Sequence, residues 1–253
     1  MLQSTDLAEN LYFDDAVSEA ELAGSTMCVC AMKVLRYAQA NSGIVLTKSG
    51  NFYRKFVEWA AEDFQWPGFE PEELYAVNKV LNETDFPPLF TLHELLLKAR
   101  LLRHYKGRAL LTRSGAAVLG RHAQLQIMLA THLLQSPMGK NPHANALFWN
   151  LGHILEVIGN RLGDWVRIGD FADWSIPIEM FPTTRGTGQR FEACLFVAYD
   201  LVRPMGWLGL IDDGRTTQSL ATPLEDRLIR KTQLFDKFIR RVTPTSDGSP
   251  SLH

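Results

Sequence analysis

The sequence predicts a mainly α-helical protein with small β-hairpins, built from repeated modules. The prediction rests first on an internal repeat: residues 45–50, Val-Leu-Thr-Lys-Ser-Gly, are matched 65 positions later by residues 110–115, Leu-Leu-Thr-Arg-Ser-Gly. It rests second on the surroundings of each copy, because a short apolar segment leads into the repeat and apolar residues at helical spacing follow it. A repeat defines the architectural unit of a chain. We therefore expect helices that begin near Ser49 and Ser114, with the preceding threonines close to their N-caps.

A helix and a hairpin are predicted immediately before the second copy. Residues 91–102 form a Leu-rich helix pattern, with Thr91 in position to cap it. Residues 103–108 are typical of a strand and a turn, in which Gly107 supplies a permissive backbone, and residues 109–111 return as a strand. We expect the tip of the hairpin at this glycine and the lysine before it.

The order helix, strand, tight turn, strand and a helix that starts with Leu-Thr resembles the winged-helix proteins. The resemblance covers residues 71–120 well and residues 25–70 less completely. It implies a tandem winged-helix-like architecture, as in bacterial proteins of this type, with Lys106 and Gly107 at the tip of a wing. Wings in such proteins commonly lie along a phosphate backbone, so the resemblance implies DNA contact. It implies no substrate.

A third, degenerate copy is expected towards the C-terminus. Residues 191–204 form a helix pattern, residues 206–211 a strand, and Asp213-Gly214 a hairpin tip. Thr232 then takes the place of the repeat threonine before a last helix, although the glycine of the repeat is missing.

The predicted organisation follows from these modules. Two apolar helices, separated by a turn at residues 136–142, form a helical hairpin that joins the modules. The expected segments are an acidic N-terminal arm (1–24), a first partial module (25–70), a second module (71–120), the connecting helices (121–162), a third module (163–241) and a disordered tail (242–253).

Charge is distributed unevenly along a chain whose net charge is only -2. Residues 1–26 contain six acids and no Lys or Arg, whereas no acid occurs between Glu94 and Glu156. A nucleic-acid partner must therefore be bound by a local surface. The candidate contacts are Lys and Arg side chains of the predicted helix, of the wing and of the helix starts: Lys98, Arg100, Arg103, Lys106, Arg108, Arg113, Arg54 and Lys55. Two alternatives stay open: these charges solvate a helix face, or the acidic arm neutralises them.

No catalytic or cofactor-binding motif is present in the sequence. The histidines are spaced too widely for ligand pairs at i,i+3 or i,i+4, so we predict no metal. Cys28 and Cys30 are interpreted as buried small residues, and an odd number of cysteines indicates reduced thiols in a cytoplasm. Residues 186–188, Gly-Thr-Gly, lack the context of a nucleotide-binding loop and are interpreted as a flexible loop.

The sequence favours a non-enzymatic, cytoplasmic, DNA-binding regulator without a cofactor or a membrane segment. One observation argues against sequence-specific readout, because the helix at 91–102 has no Asn or Gln to read adenine. The alternatives are a protein-interaction module, with a homodimer or partner docked on residues 121–160, and a small-ligand sensor. Fold alone does not choose between them.

Overall fold

The computed structural model describes residues 11–134, 144–181, 188–214, 221–244 and 250–252. These residues form helices and small antiparallel sheets, which confirms the mainly α-helical class. The chain divides into two compact units. We call residues 26–132 the central unit, and residues 1–25 together with 133–253 the flanking unit.

The elements are numbered in chain order. The helices are α1 (Glu19–Leu22), α2 (Thr26–Ala40), α3 (Arg54–Phe64), α4 (Pro71–Val77), α5 (Pro87–Lys98), α6 (Arg113–Ala117), α7 (His122–Leu134), α8 (Ala144–Arg161), α9 (Ile168–Ser175), α10 (Gln189–Phe196), α11 (Arg203–Trp207) and α12 (Gln233–Phe238). The strands are β1 (Leu11–Phe13), β2 (Ile44–Val45), β3 (Leu102–Tyr105), β4 (Arg108–Leu111), β5 (Val166–Arg167), β6 (Ile211–Asp212), β7 (Leu228–Lys231), β8 (Ile239–Pro244) and β9 (Pro250–Leu252). Short 3-10 turns lie at Glu83–Asp85, Ile178–Met180 and Leu224–Asp226, and Val197–Val202 form a π-helical segment.

The sheet of the central unit is built around the hairpin of β3 and β4, which has a two-residue turn. Tyr105 lies opposite Arg108, so Lys106 and Gly107 are the turn residues, as the sequence predicts. Both have positive φ angles, 47° and 71°, because the twist of a two-residue hairpin requires left-handed backbone at its centre.

Strand β2 completes this sheet, in the order β2-β4-β3. Ile44 pairs with Ala109, which brings a strand from the predicted first module onto the hairpin of the predicted second. The predicted boundary at residue 70 therefore lies inside one compact unit. Residues 26–132 form that unit, in which β2 of the first half pairs with β4 of the hairpin in the second half.

The second copy of the repeat starts a helix, as predicted. Helix α6 begins at Arg113, and the Thr112 hydroxyl accepts a hydrogen bond from the N–H of Gly115 at 2.9 Å. The same hydroxyl donates to the carbonyl of Arg100 at 2.7 Å. Thr112 thus joins the start of α6 to the end of α5.

The first copy does not start a helix, so the predicted helix start near Ser49 is wrong. Residues 47–51 form a closed turn, in which Gly50 has a φ of 90° and donates its N–H to the carbonyl of Thr47. A bridge between Leu46 and Phe52 closes the turn, and helix α3 begins only at residue 54.

Helix α5 begins and ends earlier than predicted. It starts at Pro87, a favoured first helical residue, so the predicted cap Thr91 lies inside the helix. It ends in a Schellman motif, in which Leu101 donates to the carbonyl of Leu96 and Arg100 to that of Leu97. The C′ position of this motif adopts left-handed backbone and is usually glycine, yet here it is Arg100, with a φ of 55°.

The flanking unit contains a similar arrangement near the predicted third copy. One sheet of the flanking unit has the order β5-β7-β6, and Thr232 caps α12 as Thr112 caps α6. The Thr232 hydroxyl donates to the carbonyl of Gly209, which holds the left-handed C′ position after α11 with a φ of 74°. The predicted strand over 206–211 is shorter than expected, because its first residues end the helix. Asp213-Gly214 follow β6 directly, as expected, but β7 begins only at residue 228.

The terminal segments are more ordered than the sequence predicts. Residues 11–13 of the predicted acidic arm form β1, which pairs with β8. Residues 242–244 and 250–252 of the predicted disordered tail pair as β8 and β9. Two acids of the arm bind cations of the same unit: Asp14 pairs with Arg240, and Glu21 with Lys237. The hydrogen bond from Lys237 lowers the pKa of Glu21 to about 2.

The connecting helices contribute to the core, so the docking face expected over residues 121–160 is not an exposed apolar surface in its described part. Leu125 and Leu129 of α7 and Ile154 and Ile158 of α8 are buried. The turn predicted at residues 136–142 lies outside the described residues. Across the ranges that the structure covers, none of the helices is long and apolar enough to span a bilayer.

Candidate nucleic-acid interface

The hairpin tip of the central unit carries two cations on one aromatic ring. The guanidinium of Arg103 lies 5.4 Å from the centre of the Tyr105 ring, and Nζ of Lys106 lies 5.3 Å from it. All three side chains are exposed. Tyr105 stays 49% exposed under its two cations, so the tip offers positive charge and an aromatic face together.

Arg108 differs from the other predicted nucleic-acid contacts, because backbone carbonyls bind its guanidinium. Its guanidinium is half-buried and donates to the carbonyls of Asn41 at 2.8 Å, Ser42 at 3.0 Å and Gly43 at 2.8 Å. These carbonyls follow the C-terminus of α2, where unpaired acceptors carry partial negative charge. Arg108 therefore caps α2.

The other predicted contacts are exposed cations. In the central unit the ion pairs among described residues are Lys33 with Asp63 and the buried contact of Glu83 with His93, so these cations have no carboxylate partner there. They are Arg54 and Lys55 at the start of α3, Lys98 and Arg100 at the end of α5, Arg103 and Lys106 on the hairpin, and Arg113 at the start of α6.

The flanking unit shows the opposite pattern. Arg230, on the strand that pairs with β6, binds Asp212 at 3.0 Å and lies 4.3 Å from the Trp165 ring centre. Arg190 binds both Asp173 and Glu225. Arg190 and Arg230 of the flanking unit are thus neutralised by acids, whereas the predicted contacts of the central unit are not.

Two of the unpaired cations occupy strained backbone positions. Arg100 has a φ of 55° and Lys106 a φ of 47°. Left-handed backbone costs about 1 kcal/mol for a residue with a Cβ, and glycine avoids this cost. At the matching position after α11 the flanking unit has Gly209. The central unit thus has cations at two positions where the backbone conformation favours glycine.

A chain of hydrogen-bonded polar side chains, which no sequence motif predicts, lies behind the hairpin. Oε1 of Glu83 is 2.7 Å from Nδ1 of His93, and Nε2 of His93 is 2.9 Å from Nε2 of His104. The other oxygen of Glu83 accepts the backbone N–H of Phe52, whose ring stacks on His93 at 3.8 Å between centres. Glu83 is 1% exposed and His93 is 3% exposed. We call these three residues the Glu83–His93–His104 relay.

The protons of the relay follow from its geometry. A carboxylate only accepts, so Nδ1 of His93 donates to Glu83, and the second nitrogen of neutral His93 must accept from Nε2–H of His104. Burial lowers the pKa of His104, and the neighbouring His93 lowers it further, against the opposite effects of Glu83 and Glu94. The relay is therefore satisfied with both imidazoles neutral and Glu83 ionised.

The structure describes two further features of the sequence, the cysteine pair and part of the loop at residues 186–188. Cys28 and Cys30 are buried, and burial raises the pKa of the Cys30 thiol to about 12. Within the ranges the structure covers, no cluster of three or more His, Cys, Asp or Glu is arranged to hold a metal ion. Of the loop at 186–188, residues 186 and 187 lie outside the described residues, and Gly188 is the N-cap of α10.

Comparison with known proteins places the chain in a family. The model of the Y4jL N-terminal domain matches residues 23–124. Uncharacterized protein y4jL of Sinorhizobium fredii (strain NBRC 101917 / NGR234) is 37% identical over 151 residues, which cover 58% of this chain and 68% of the relative. The chain belongs to the Y4jL family. No solved structure matches the chain.

The Y4jL N-terminal domain coincides closely with the central unit. Its match begins just before α2 and ends inside α7, so it contains the sheet β2-β4-β3. The hairpin tip, the unpaired cations and the relay all lie within this stretch.

Proposed function

We propose that this Y4jL-family protein binds duplex DNA through its central unit, which is a winged-helix-like module with the hairpin at residues 102–111 as its wing. The observation that carries the proposal is the hairpin tip, where Arg103 and Lys106 flank an exposed tyrosine and have no acidic partner among the described residues. Phosphate binding requires clustered, unpaired cations. The flanking unit is a second, winged-helix-like module in which Arg230, on the strand at the matching position, is neutralised by Asp212, so that this position makes no phosphate contact.

The expected binding is largely independent of DNA sequence. Wing contacts to phosphate position a protein without reading bases. Helix α5 presents Lys98 and Arg100 at its end and has no Asn or Gln over its length, so its base readout is limited to guanine.

Replacement of Arg103 and Lys106 together by Ala should weaken binding to all duplexes alike. Each phosphate contact contributes about -0.9 to the slope of log K against log salt, so the slope should become shallower by about 1.8. The measurement is fluorescence anisotropy of a short duplex from about 50 to 200 mM salt, the range in which such contacts are lost. Arg230→Ala is the matched control, because Arg230 lies in a hairpin-like position but is paired with Asp212. Undetectable binding of the unaltered chain at low salt would overturn the proposal.

Arg100→Gly should stabilise the central unit and weaken DNA binding. Glycine relieves the left-handed strain, and the gain should be about 0.5–1 kcal/mol, whereas the loss of a phosphate contact should make the salt slope shallower by about 0.9. Hydrogen exchange of the central-unit amides measures the first effect, and anisotropy the second. Arg100→Ala separates them, since it removes the charge and keeps the strain. A stability loss in Arg100→Gly would mean that the side chain is structural.

A protein-interaction module is the second candidate, favoured by exposed apolar side chains of the central unit. Val77 is 84% exposed, and Tyr75, Val80 and Phe90 are about 40% exposed. These residues, rather than the buried ones of α7 and α8, are the surface for a protein partner. This function becomes the leading one if the DNA assay is negative.

A further inference from the structure

The Glu83–His93–His104 relay joins three segments that are distant along the chain. Glu83 lies in the 3-10 turn before α5, His93 lies in the middle of α5, and His104 lies in β3. The relay also reaches the turn at residues 47–51, because Glu83 accepts the N–H of Phe52, and a Cβ added to Gly50 would lie 3.7 Å from Cε1 of His104. The hairpin is thereby tied to the body of the central unit through one chain of hydrogen bonds.

The side of the hairpin that enters the relay is opposite to the proposed DNA-contacting side. His104 pairs with Ala109, whereas Arg103 and Tyr105 lie at the alternate positions and point to the other face. The relay is therefore separate from the cation surface. Its titration is a property of the fold and does not depend on the proposed function.

Protonation of both imidazoles is incompatible with the relay. One added proton binds Nδ1 of His104 and leaves both hydrogen bonds in place, with a positive charge on the imidazole pair, which only one carboxylate, Glu83, contacts directly. A second added proton leaves N–H groups on both facing nitrogens, which are 2.9 Å apart, so that neither accepts. The groups that face His104 are His93 and Glu94 from α5 and Glu83 from the 3-10 turn. In the turn at 47–51 Gly50 lies beside His104, and in β4 Ala109 is its register partner; neither residue has a titratable side chain.

We propose that the Glu83–His93–His104 relay is a proton-sensitive latch, which holds β3 and the hairpin closed while one of the two facing nitrogens can accept, and releases them when both imidazoles are protonated. His104 is the group through which the proton enters, because it is the exposed member of the relay, whereas His93 and Glu83 are buried.

The direction of the pH dependence follows from the shift at His104. Its pKa in the folded protein is below the ordinary value of 6.5, so the unfolded or opened hairpin binds protons more strongly. The latch is therefore complete above about pH 6.5, and it weakens as the pH falls towards the pKa of folded His104.

Hydrogen exchange of the β3 and β4 amides in the full chain, between about pH 7.5 and 5, tests the latch. After correction for intrinsic rates, exchange should accelerate as the pH falls, by about tenfold for each unit by which the pKa of His104 is lowered. His104→Gln should abolish the acceleration, because its amide N–H donates to His93 but takes up no proton. His132→Gln, a histidine replacement on α7, should keep it.

An acceleration that persists in His104→Gln, or is also lost in His132→Gln, would overturn the proposal. If His104→Gln does not fold, NMR titration of the imidazoles in the unaltered protein decides. A midpoint for His104 below 6.5, together with shifts of the β3 amides, supports the latch. A midpoint at or above 6.5, or titration without any change in β3, refutes it.

Discussion

Replacement of Glu83 by Ala should destabilise the central unit by about 3–5 kcal/mol, the cost of removing one partner of a buried hydrogen-bonded pair. Glu83 is 1% exposed and accepts from two groups, the N–H of Phe52 and Nδ1 of His93. Alanine leaves both donors buried without an acceptor. Since a domain is stabilised by only about 5–15 kcal/mol in total, the loss should unfold a large fraction of the unit on mild heating. The measurement is hydrogen exchange of the slowest amides in α2 and α5.

Two further variants test whether the loss of stability comes from the two buried hydrogen bonds of Glu83. Asp85→Ala lies in the same 3-10 turn, where Asp85 accepts from the N–H of Asn82 at 2.9 Å at an exposed site, and should cost only about 1 kcal/mol. Glu83→Gln keeps one acceptor oxygen but cannot accept from both donors, so its loss should lie between the two. If Glu83→Ala costs no more than Asp85→Ala, Glu83 is not the residue that joins these segments.

The repeat shows how far local sequence predicts this fold. Thr112 and Gly115 start a helix, as predicted, because Leu101 and Arg100 supply carbonyls at the end of the preceding helix. The first copy has the same local pattern, but its Thr47 hydroxyl bonds within the turn, to the Ser49 hydroxyl and the N–H of Asn51, and the bridge between Leu46 and Phe52 closes the turn. Capping residues indicate a possible helix start, and tertiary contacts decide whether the helix forms.

The candidate site was predictable where it depends on local composition. An acid-free stretch leaves its cations without nearby partners, and Lys106 with Gly107 marks a hairpin tip by itself. Arg108 was not distinguishable from these cations, because the carbonyls that bind it follow a helix about 65 residues earlier in the chain. His93 and His104 are too far apart in sequence for a helical pair, and only the return of β3 along α5 brings their nitrogens to 2.9 Å.

Gly115→Ala should destabilise the central unit by about 3 kcal/mol, the upper range for an overpacked core. A Cβ at this position would lie 2.2 Å from the carbonyl oxygen of Leu101 and 2.7 Å from Cδ1 of Leu111. That carbonyl cannot withdraw, because it accepts the N–H of Thr112 at 3.0 Å. The clash therefore separates α6 from the end of α5. Hydrogen exchange of the central-unit amides measures the loss, and Ser114→Ala, at the exposed neighbouring position, should change stability by less than about 0.5 kcal/mol.

The glycine of the first copy provides the comparison that identifies the mechanism. A Cβ at Gly50 would meet nothing closer than 3.7 Å, but its φ of 90° strains any residue with a side chain, so Gly50→Ala should cost about 1 kcal/mol. Asn tolerates left-handed backbone, so Gly50→Asn should be milder than Gly50→Ala. At residue 115 the order reverses, because the larger Asn deepens the clash with the Leu101 carbonyl. If Gly115→Asn destabilises the unit less than Gly115→Ala does, backbone strain and not the close approach of α6 explains the repeated glycine.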